Sequence, residues 1–202
     1  KGRPAGVSFK IEYGGSFVPV RIYDCFGRSV AYASAAAAAV GIVFGIHLVR
    51  IAEALAFYEA PAHRQRLIIG IKGSFLIDDS YNASPLSMEA AFETLKSLSA
   101  ERKIGILGDM LEIGKYTIET HEQFGMRAAK VCDVLLTVGS RAKFIAESAI
   151  AHGMAKKNVM SFATVDDARL QAADLIRKGD LVLIKASRAI QLDKLVEELR
   201  QI

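Results

Sequence analysis

The chain has 202 residues, of which 51% are hydrophobic and 24% are charged, and this composition excludes a disordered protein. Its two cysteines, Cys25 and Cys132, cannot form a disulfide framework, so we expect a reducing compartment. The net charge of +4 comes from the residues up to Asp78, with nine Lys or Arg against five Asp or Glu; seventeen of each follow. Because no basic stripe results, we expect no nucleic-acid partner.

The first eighty residues predict strands, then helices, then strands again. Residues 7–11 and 17–23 alternate in polarity around Gly14-Gly15, which is typical of a β-hairpin. Residues 67–77 suggest a second hairpin.

An uncharged segment over residues 29–49 is long enough to span a bilayer. Seven of its 21 residues are Ala, which is nearly indifferent between water and lipid. We therefore expect a buried, Ala-rich helix pair, with the second helix over residues 47–58, and keep a membrane anchor as an alternative.

Beyond Asn82, helices and strands alternate strictly. Ser84 precedes Pro85 as a helix N-cap, Thr120 opens a helix with capping-box spacing, and Thr164 caps a later helix. This alternation predicts an α/β fold in which helices cover both faces of a mainly parallel sheet. The predicted strands are residues 104–107, 134–138, 159–162 and 181–184, and the last helix is 189–199.

Ligands of such sheets bind at the carboxyl ends of the strands, and two segments there could carry chemistry. Lys185 and Arg188 precede the last predicted helix, where cations and free amide groups could bind an anion. The alternative is a solvated loop in which Ser187 caps the helix. Asp109 and Glu112 could form a loop for a substrate amine, or a surface turn.

The segment after the fourth predicted strand carries adjacent carboxylates. Asp78 and Asp79 could bind ribose hydroxyl groups or a metal, or simply form an Asx turn. His121 and His152 have no partner at ligand spacing, so surface or cap positions are favoured for both. The sequence contains neither GxGxxG nor GxxxxGK[ST] and so has no recognisable phosphate loop.

Three motifs occur together and in order: DDSYNASP at 78–85, LGDMLEIG at 107–114 followed by His121, and IKASR at 184–188. This combination resembles the Mur ligases, and within them the members that add D-Ala-D-Ala to UDP-N-acetylmuramoyl-tripeptide. The resemblance implies ATP-dependent amide formation through an acyl phosphate, in the cytoplasm and by a monomer. It also implies that residues 1–80 are the last part of the central ATPase domain and residues 81–202 the Rossmann-like C-terminal domain.

The resemblance assigns roles to nine residues. ATP and Mg²⁺ are the implied cofactors, and their phosphate loop and metal ligands are expected before Lys1, so the chain alone should be inactive. The implied cofactor-binding residues are Arg64 for the phosphates, Asp79 for the ribose, and Tyr81 and Asn82 in the same turn; the implied dipeptide-binding residues are Asp109, Glu112, Lys185, Ser187 and Arg188.

Several positions depart from the family pattern. Ser29, Val30 and Ala33 replace the residues that recognise adenine, and Ala186 replaces a glycine. Loss of these groups would weaken ATP binding. A non-catalytic binding module therefore remains an alternative, as does another ligase of the superfamily, of the folylpolyglutamate-synthase or cyanophycin-synthetase type.

Overall fold

The structure, a computed structural model, describes residues 3–201. The first part is an antiparallel hairpin of β1 (Gly6–Tyr13) and β2 (Ser16–Tyr23), followed by α1 (Arg28–Val43) and α2 (Leu48–Ala56). Gly14 and Gly15 both have positive φ, which matches the right-handed twist of the strands and confirms the predicted hairpin.

The Ala-rich helix α1 differs from the expectation of a buried helix. Only Ser34, Ala38 and Gly41 are buried, in a narrow stripe facing α2 and the hairpin, and the rest of α1 is exposed or half-buried. A turn separates α1 from α2, so residues 29–49 do not form one continuous helix. Within residues 3–201, no helix combines the length and the apolar character needed to cross a membrane.

The second part of the fold contains a six-stranded sheet among the described residues, in the order β3-β4-β8-β5-β6-β7. The antiparallel pair β3 and β4 forms the second predicted hairpin, and every other pairing is parallel, as predicted. The strands are β3 (Arg66–Ile69), β4 (Phe75–Asp78), β5 (Lys103–Gly108), β6 (Val134–Val138), β7 (Val159–Phe162) and β8 (Leu181–Lys185).

Helices cover both faces of this sheet because its strands are apolar on both faces. In β4, Leu76 packs with one buried cluster and Ile77 with the other. The helices α3 (Pro85–Ser97), α4 (Thr117–Val131) and α5 (Lys143–Ala151) pack on the face of Ile77, and α6 (Val165–Leu175) and α7 (Leu192–Leu199) pack on the face of Leu76.

Two of the predicted helix starts agree with the structure, and two others do not. Ser84 and Thr164 cap α3 and α6 as predicted. The predicted start at Thr120 is wrong, because the 3₁₀ turn Gly114–Tyr116 leads directly into α4 at Thr117. The predicted start of the last helix near residue 189 is also wrong: a 3₁₀ turn occupies those residues and α7 begins at Leu192.

The sheet continues across the expected domain boundary at residue 80. Strands β3 and β4 pair within the six-stranded sheet, although the sequence analysis assigned them to the first part. The segment after β2 joins this sheet through a bridge between Cys25 and Arg66 and through the Leu67 N–H, which donates to the carbonyl of Asp24 at 2.8 Å.

Candidate functional site

The carboxyl ends of β4, β8, β5 and β6 meet at one edge of the sheet, because these four strands run parallel. The segments that follow these strands carry seven of the nine predicted site residues. Arg64 precedes β3, and the carbonyl oxygen of its neighbour His63 accepts the Tyr81 N–H at 3.1 Å. Tyr81 thereby brings Arg64 to the same edge.

Asp78 forms a turn at the end of β4. One of its oxygens, Oδ1, accepts the Ser80 N–H at 3.2 Å and the Ser80 hydroxyl at 2.6 Å, and Oδ2 lies 2.9 Å from His63 Nδ1. Its carboxylate is buried. For Asp78, therefore, the Asx turn is the interpretation that the structure supports.

Asp79 and Lys185 form an ion pair inside the protein. Lys185 Nζ lies 2.7 Å from Asp79 Oδ2 and donates to the carbonyl of Asn82 at 2.9 Å. Burial raises the pKa of Asp79 and lowers the pKa of Lys185, and each charge partly offsets the effect on the other. Lys185 is 1% exposed, so its ammonium group is not available to bind an external anion.

Ser187 fastens the segment after β8 to the loop after β5. Its N–H donates to the carbonyl of Asp109 at 2.9 Å, and its Oγ accepts the Leu111 N–H at 2.8 Å and donates to the carbonyl of Ala83 at 3.3 Å. It therefore does not act as a side-chain cap of the last helix, which was the alternative prediction.

The carboxylate of Asp109 points to the start of α5. Its Oδ1 accepts the Arg141 N–H at 3.0 Å and the Ala142 N–H at 2.6 Å. Gly139 has a φ of 116°, and a Cβ there would overlap the Asp109 carboxylate, so a glycine is required. This carboxylate compensates free N–H groups of the segment that leads into α5.

His121 is fully buried, contrary to the expected surface or cap position, whereas His152 is the exposed C-cap residue of α5, as expected. The Nδ1 atom of His121 lies 2.6 Å from the carbonyl oxygen of Thr117, and its Nε2 accepts the Met110 N–H at 3.0 Å. Burial lowers the pKa of His121.

The exposed members of the site gather around Tyr81. The Arg64 Cζ lies 4.2 Å from the centroid of the Tyr81 ring, and the Arg188 Cζ lies 5.7 Å from it. Arg188 also pairs with Asp193 at 3.2 Å and remains 60% exposed. Asn82 and Glu112 are exposed in adjacent loops, and Glu112 has a left-handed φ of 64°. The edge therefore presents two guanidinium groups on one aromatic ring.

Sequence reasoning missed Gln65 and the burial of His121. Gln65 is buried with a φ of 48°; its Oε1 accepts the Thr94 hydroxyl at 2.9 Å, and its backbone N–H lowers the pKa of Asp79. A polar residue in a turn gives no sequence signal of this kind. For His121, the sequence favours a surface or cap position because no partner lies at ligand spacing, and the absence of such a partner carries no information about burial.

The sequence model of the family described as "Mur ligase, glutamate ligase domain" matches residues 63–188, more than half of the chain. The chain belongs to the Mur ligase family. The matched segment begins three residues before β3 and contains every predicted site residue.

Two curated relatives of this Mur ligase chain share one description. The UDP-N-acetylmuramoyl-tripeptide–D-alanyl-D-alanine ligase of Bacillus subtilis (strain 168) is 34% identical over 185 residues, which cover 91% of this chain and 39% of that protein. The ligase of the same description from Escherichia coli (strain K12) is 31% identical over 168 residues, covering 82% of this chain and 36% of that protein.

Solved structures agree with this fold. MurF from Acinetobacter baumannii superposes with a TM-score of 0.82 at 26% identity, covering 95% of this chain and 42% of that chain. MurF from Thermotoga maritima, in complex with ADP, gives a TM-score of 0.77 at 26% identity, with the same coverage. The chain thus spans about two fifths of the length of these relatives.

Proposed function

We propose that this chain is the C-terminal part of an ATP-dependent ligase that adds D-Ala-D-Ala to UDP-N-acetylmuramoyl-tripeptide through an acyl phosphate. The similarity to ligases of that description over 91% of the chain supports this function. The observation that carries the proposal is the pair of guanidinium groups on Tyr81, at the edge of the sheet where α/β folds bind their ligands.

The exposed residues fit the chemistry of this reaction. Arg64 is exposed and forms no ion pair with any of residues 3–201, so its guanidinium is free to contact the phosphoryl oxygens on which charge accumulates. Arg188, which is 60% exposed and pairs with Asp193, would bind the free carboxylate of the incoming dipeptide. Tyr81 holds the two cations close to each other, and Asn82 and Glu112 line the same edge.

The buried residues fit a positioning role better than direct contact. Asp79 is 8% exposed and paired with Lys185, so its carboxylate does not fit a ribose hydroxyl in this arrangement. The polar side-chain atoms of Asp109 and Ser187 likewise form hydrogen bonds with backbone groups. We therefore assign these four residues to the support of the loops that carry Arg188, Tyr81 and Glu112.

Of the two implied cofactors, ATP and Mg²⁺, ATP has a candidate contact among the residues of this chain. Bound ATP would supply the phosphoryl group that activates the tripeptide carboxylate, and Arg64 would contact it. Among residues 3–201, no three His, Cys, Asp or Glu side chains form a cluster that could hold a metal ion.

The sheet also suggests a revised division of the chain. Because β3 pairs with β4 inside the six-stranded sheet, we propose that the C-terminal domain begins between α2 and β3, in place of a division at residue 80. The family match from residue 63 supports this boundary.

A non-catalytic binding module is the second candidate. Ser29, Val30 and Ala33 stand at the positions that recognise adenine in the family; Ser29 and Ala33 are exposed at the start of α1, and Val30 packs against the hairpin cluster. Unless another group binds adenine, ATP affinity would fall by several kcal/mol, at about 1–3 kcal/mol for each lost partner.

A chimera separates the two candidates. The segment of the Bacillus subtilis ligase that aligns with this chain is replaced by this chain, and phosphate release is measured with ATP, UDP-N-acetylmuramoyl-tripeptide and D-Ala-D-Ala. We expect release that requires the dipeptide. A folded chimera that binds the dipeptide without releasing phosphate would support the binding module instead.

Arg188→Ala tests the dipeptide site in the same chimera. Loss of one charge-assisted contact should raise the KM for D-Ala-D-Ala about tenfold or more, with the KM for ATP unchanged. Arg200→Ala is the matched control, since Arg200 is an exposed arginine at the other end of α7 that pairs with Glu197. Equal effects of the two substitutions would remove Arg188 from the site.

A further inference from the structure

The hydrogen bonds of His121 define its protonation state. A backbone N–H can only donate and a carbonyl oxygen can only accept, so the contacts with Met110 and Thr117 require an Nε2 without hydrogen and a protonated Nδ1. His121 is therefore a neutral imidazole of one defined tautomer. It is also fully buried, in the first half of α4.

The loop that His121 holds is the one after β5, residues 109–113. The Met110 N–H is bound by His121, and the next N–H, that of Leu111, is bound by the Ser187 hydroxyl at 2.8 Å. Two consecutive amides are thus fixed by side chains from two different elements. The residue that follows is Glu112, exposed with a left-handed φ, and the residue after Ser187 is Arg188.

We propose that His121 is a positioning residue: its neutral imidazole fixes the Met110 amide and thereby sets the loop 109–113 against Ser187 and Arg188, where the dipeptide binds. The proposal rests on the proposed function for the identity of the ligand. The geometry of the loop itself does not depend on that function.

Protonation of His121 would break this arrangement, because a hydrogen on Nε2 would face the Met110 N–H. Burial lowers the pKa of His121; the charge of Asp109 in the loop and the Thr117 carbonyl on α4 act in the opposite direction, and the charge of Arg141, before α5, lowers the pKa further. The folded pKa is then below the unfolded value of about 6.5. The stabilisation is complete above that value and is lost as the pH falls through the folded pKa.

Two substitutions separate the two hydrogen bonds. The amide oxygen of His121→Gln reaches the position of Nε2 and can accept the Met110 N–H, whereas the shorter amide of His121→Asn can donate to Thr117 but leaves Met110 without a partner. Amide hydrogen exchange in the 202-residue chain is the first measurement. We expect exchange of the Met110 and Leu111 amides to rise about tenfold or more in the Asn variant and to stay close to the wild type in the Gln variant.

The pH profile is the second measurement. After correction for intrinsic exchange rates, wild-type exchange at Met110 and Leu111 should rise as the pH falls below about 6.5, and the Gln variant should show no such rise. The ¹⁵N chemical shifts of the wild-type imidazole report the tautomer directly and need no substitution. A protonated Nε2 at neutral pH, a rise spread evenly over all of the sheet, or equal effects of Gln and Asn would each overturn the proposal.

Ligation by the chimera is the third measurement. His121→Asn should raise the KM for D-Ala-D-Ala several-fold with little change in the KM for ATP, and His121→Gln should restore it. An opened loop with an unchanged dipeptide KM would overturn the positioning role. If the wild-type chimera does not ligate, the proposed function fails, while exchange and the pH profile still decide whether His121 holds the loop.

Discussion

Lys185 and Asp79 show how a partner decides what a charged residue can do. Both residues come from motifs that suggest ligand contacts, yet each binds the other at 2.7 Å inside the protein. Arg188 comes from the same motif as Lys185, whereas Arg64 lies outside the three motifs, and both arginines remain exposed beside Tyr81. The sequence determines which side chains are charged, but whether a charged side chain can contact a ligand depends on which strand ends are neighbours in the sheet.

We predict that Lys185→Met destabilises the protein by about 3–5 kcal/mol, because it leaves the buried Asp79 carboxylate without its cation. Arg188→Met, which removes an exposed cation, should cost no more than about 1 kcal/mol. Urea unfolding at pH 7 measures both. The double variant Lys185→Met/Asp79→Leu should recover much of the loss; equal effects of the two single substitutions would contradict the importance of the pair.

At the scale of elements, a capping pattern predicts the start of a helix correctly where all of its hydrogen bonds form within one turn of the chain. Ser84 and Thr164 each close a capping arrangement within three residues, and both were predicted correctly. Thr120 has the same spacing but lies inside α4, because the preceding 3₁₀ turn already directs the chain into the helix and the Thr117 hydroxyl binds the Gly114 carbonyl at 2.7 Å. A capping pattern within a helix looks the same as one at its start.

Strand pairing also explains a departure from the family pattern. Gly108 ends β5 beside Ala186, and a Cβ added to Gly108 would lie 2.6 Å from the Cβ of Ala186 and 3.0 Å from Ile190 Cγ2. The methyl group of Ala186 thus lies over the space left by Gly108. A glycine at 108 is what allows an alanine at 186.

Gly108→Ala should therefore destabilise the protein by about 1–3 kcal/mol through overpacking. The same substitution in an Ala186→Gly background should cost less, by about 0.5 kcal/mol or more, since one of the two methyl groups is gone. The four variants of this cycle are compared by urea unfolding. Additive effects would show that Ala186 and Gly108 do not share this space.

At the scale of the molecule, the buried residues form separate clusters. One lies between the hairpin, α1 and α2 and contains Cys25, and the others cover the two faces of the six-stranded sheet, with Cys132 in one of them. Among the described residues, the first cluster has eight buried hydrophobic members, whereas the cluster of Cys132 has eighteen. The two thiols therefore report on two parts of the fold.

We predict that both thiols resist labelling in the native protein and that Cys25 becomes reactive at lower urea than Cys132. Burial raises the pKa of Cys132 to about 12, and burial together with Asp24 raises the pKa of Cys25, so neither forms much reactive thiolate near pH 8. The smaller cluster should open first because it buries less apolar surface. Thiol labelling followed by peptide mass spectrometry measures each cysteine separately; simultaneous labelling would indicate one cooperative unit.

The sequence by itself determined the α/β class, both hairpins, the strands of the sheet and the segments that meet at its edge, because periodicity and turn residues act over a few positions. The three motifs contain Tyr81 and Arg188, and the resemblance to the Mur ligases added Arg64 to the candidate site residues. The burial of His121 and Lys185, the exposure of the Ala-rich α1 and the place of β3 in the sheet were decided by tertiary structure alone. Each depends on contacts between residues far apart in the chain, and a local pattern carries no information about which distant partner removes a group from water.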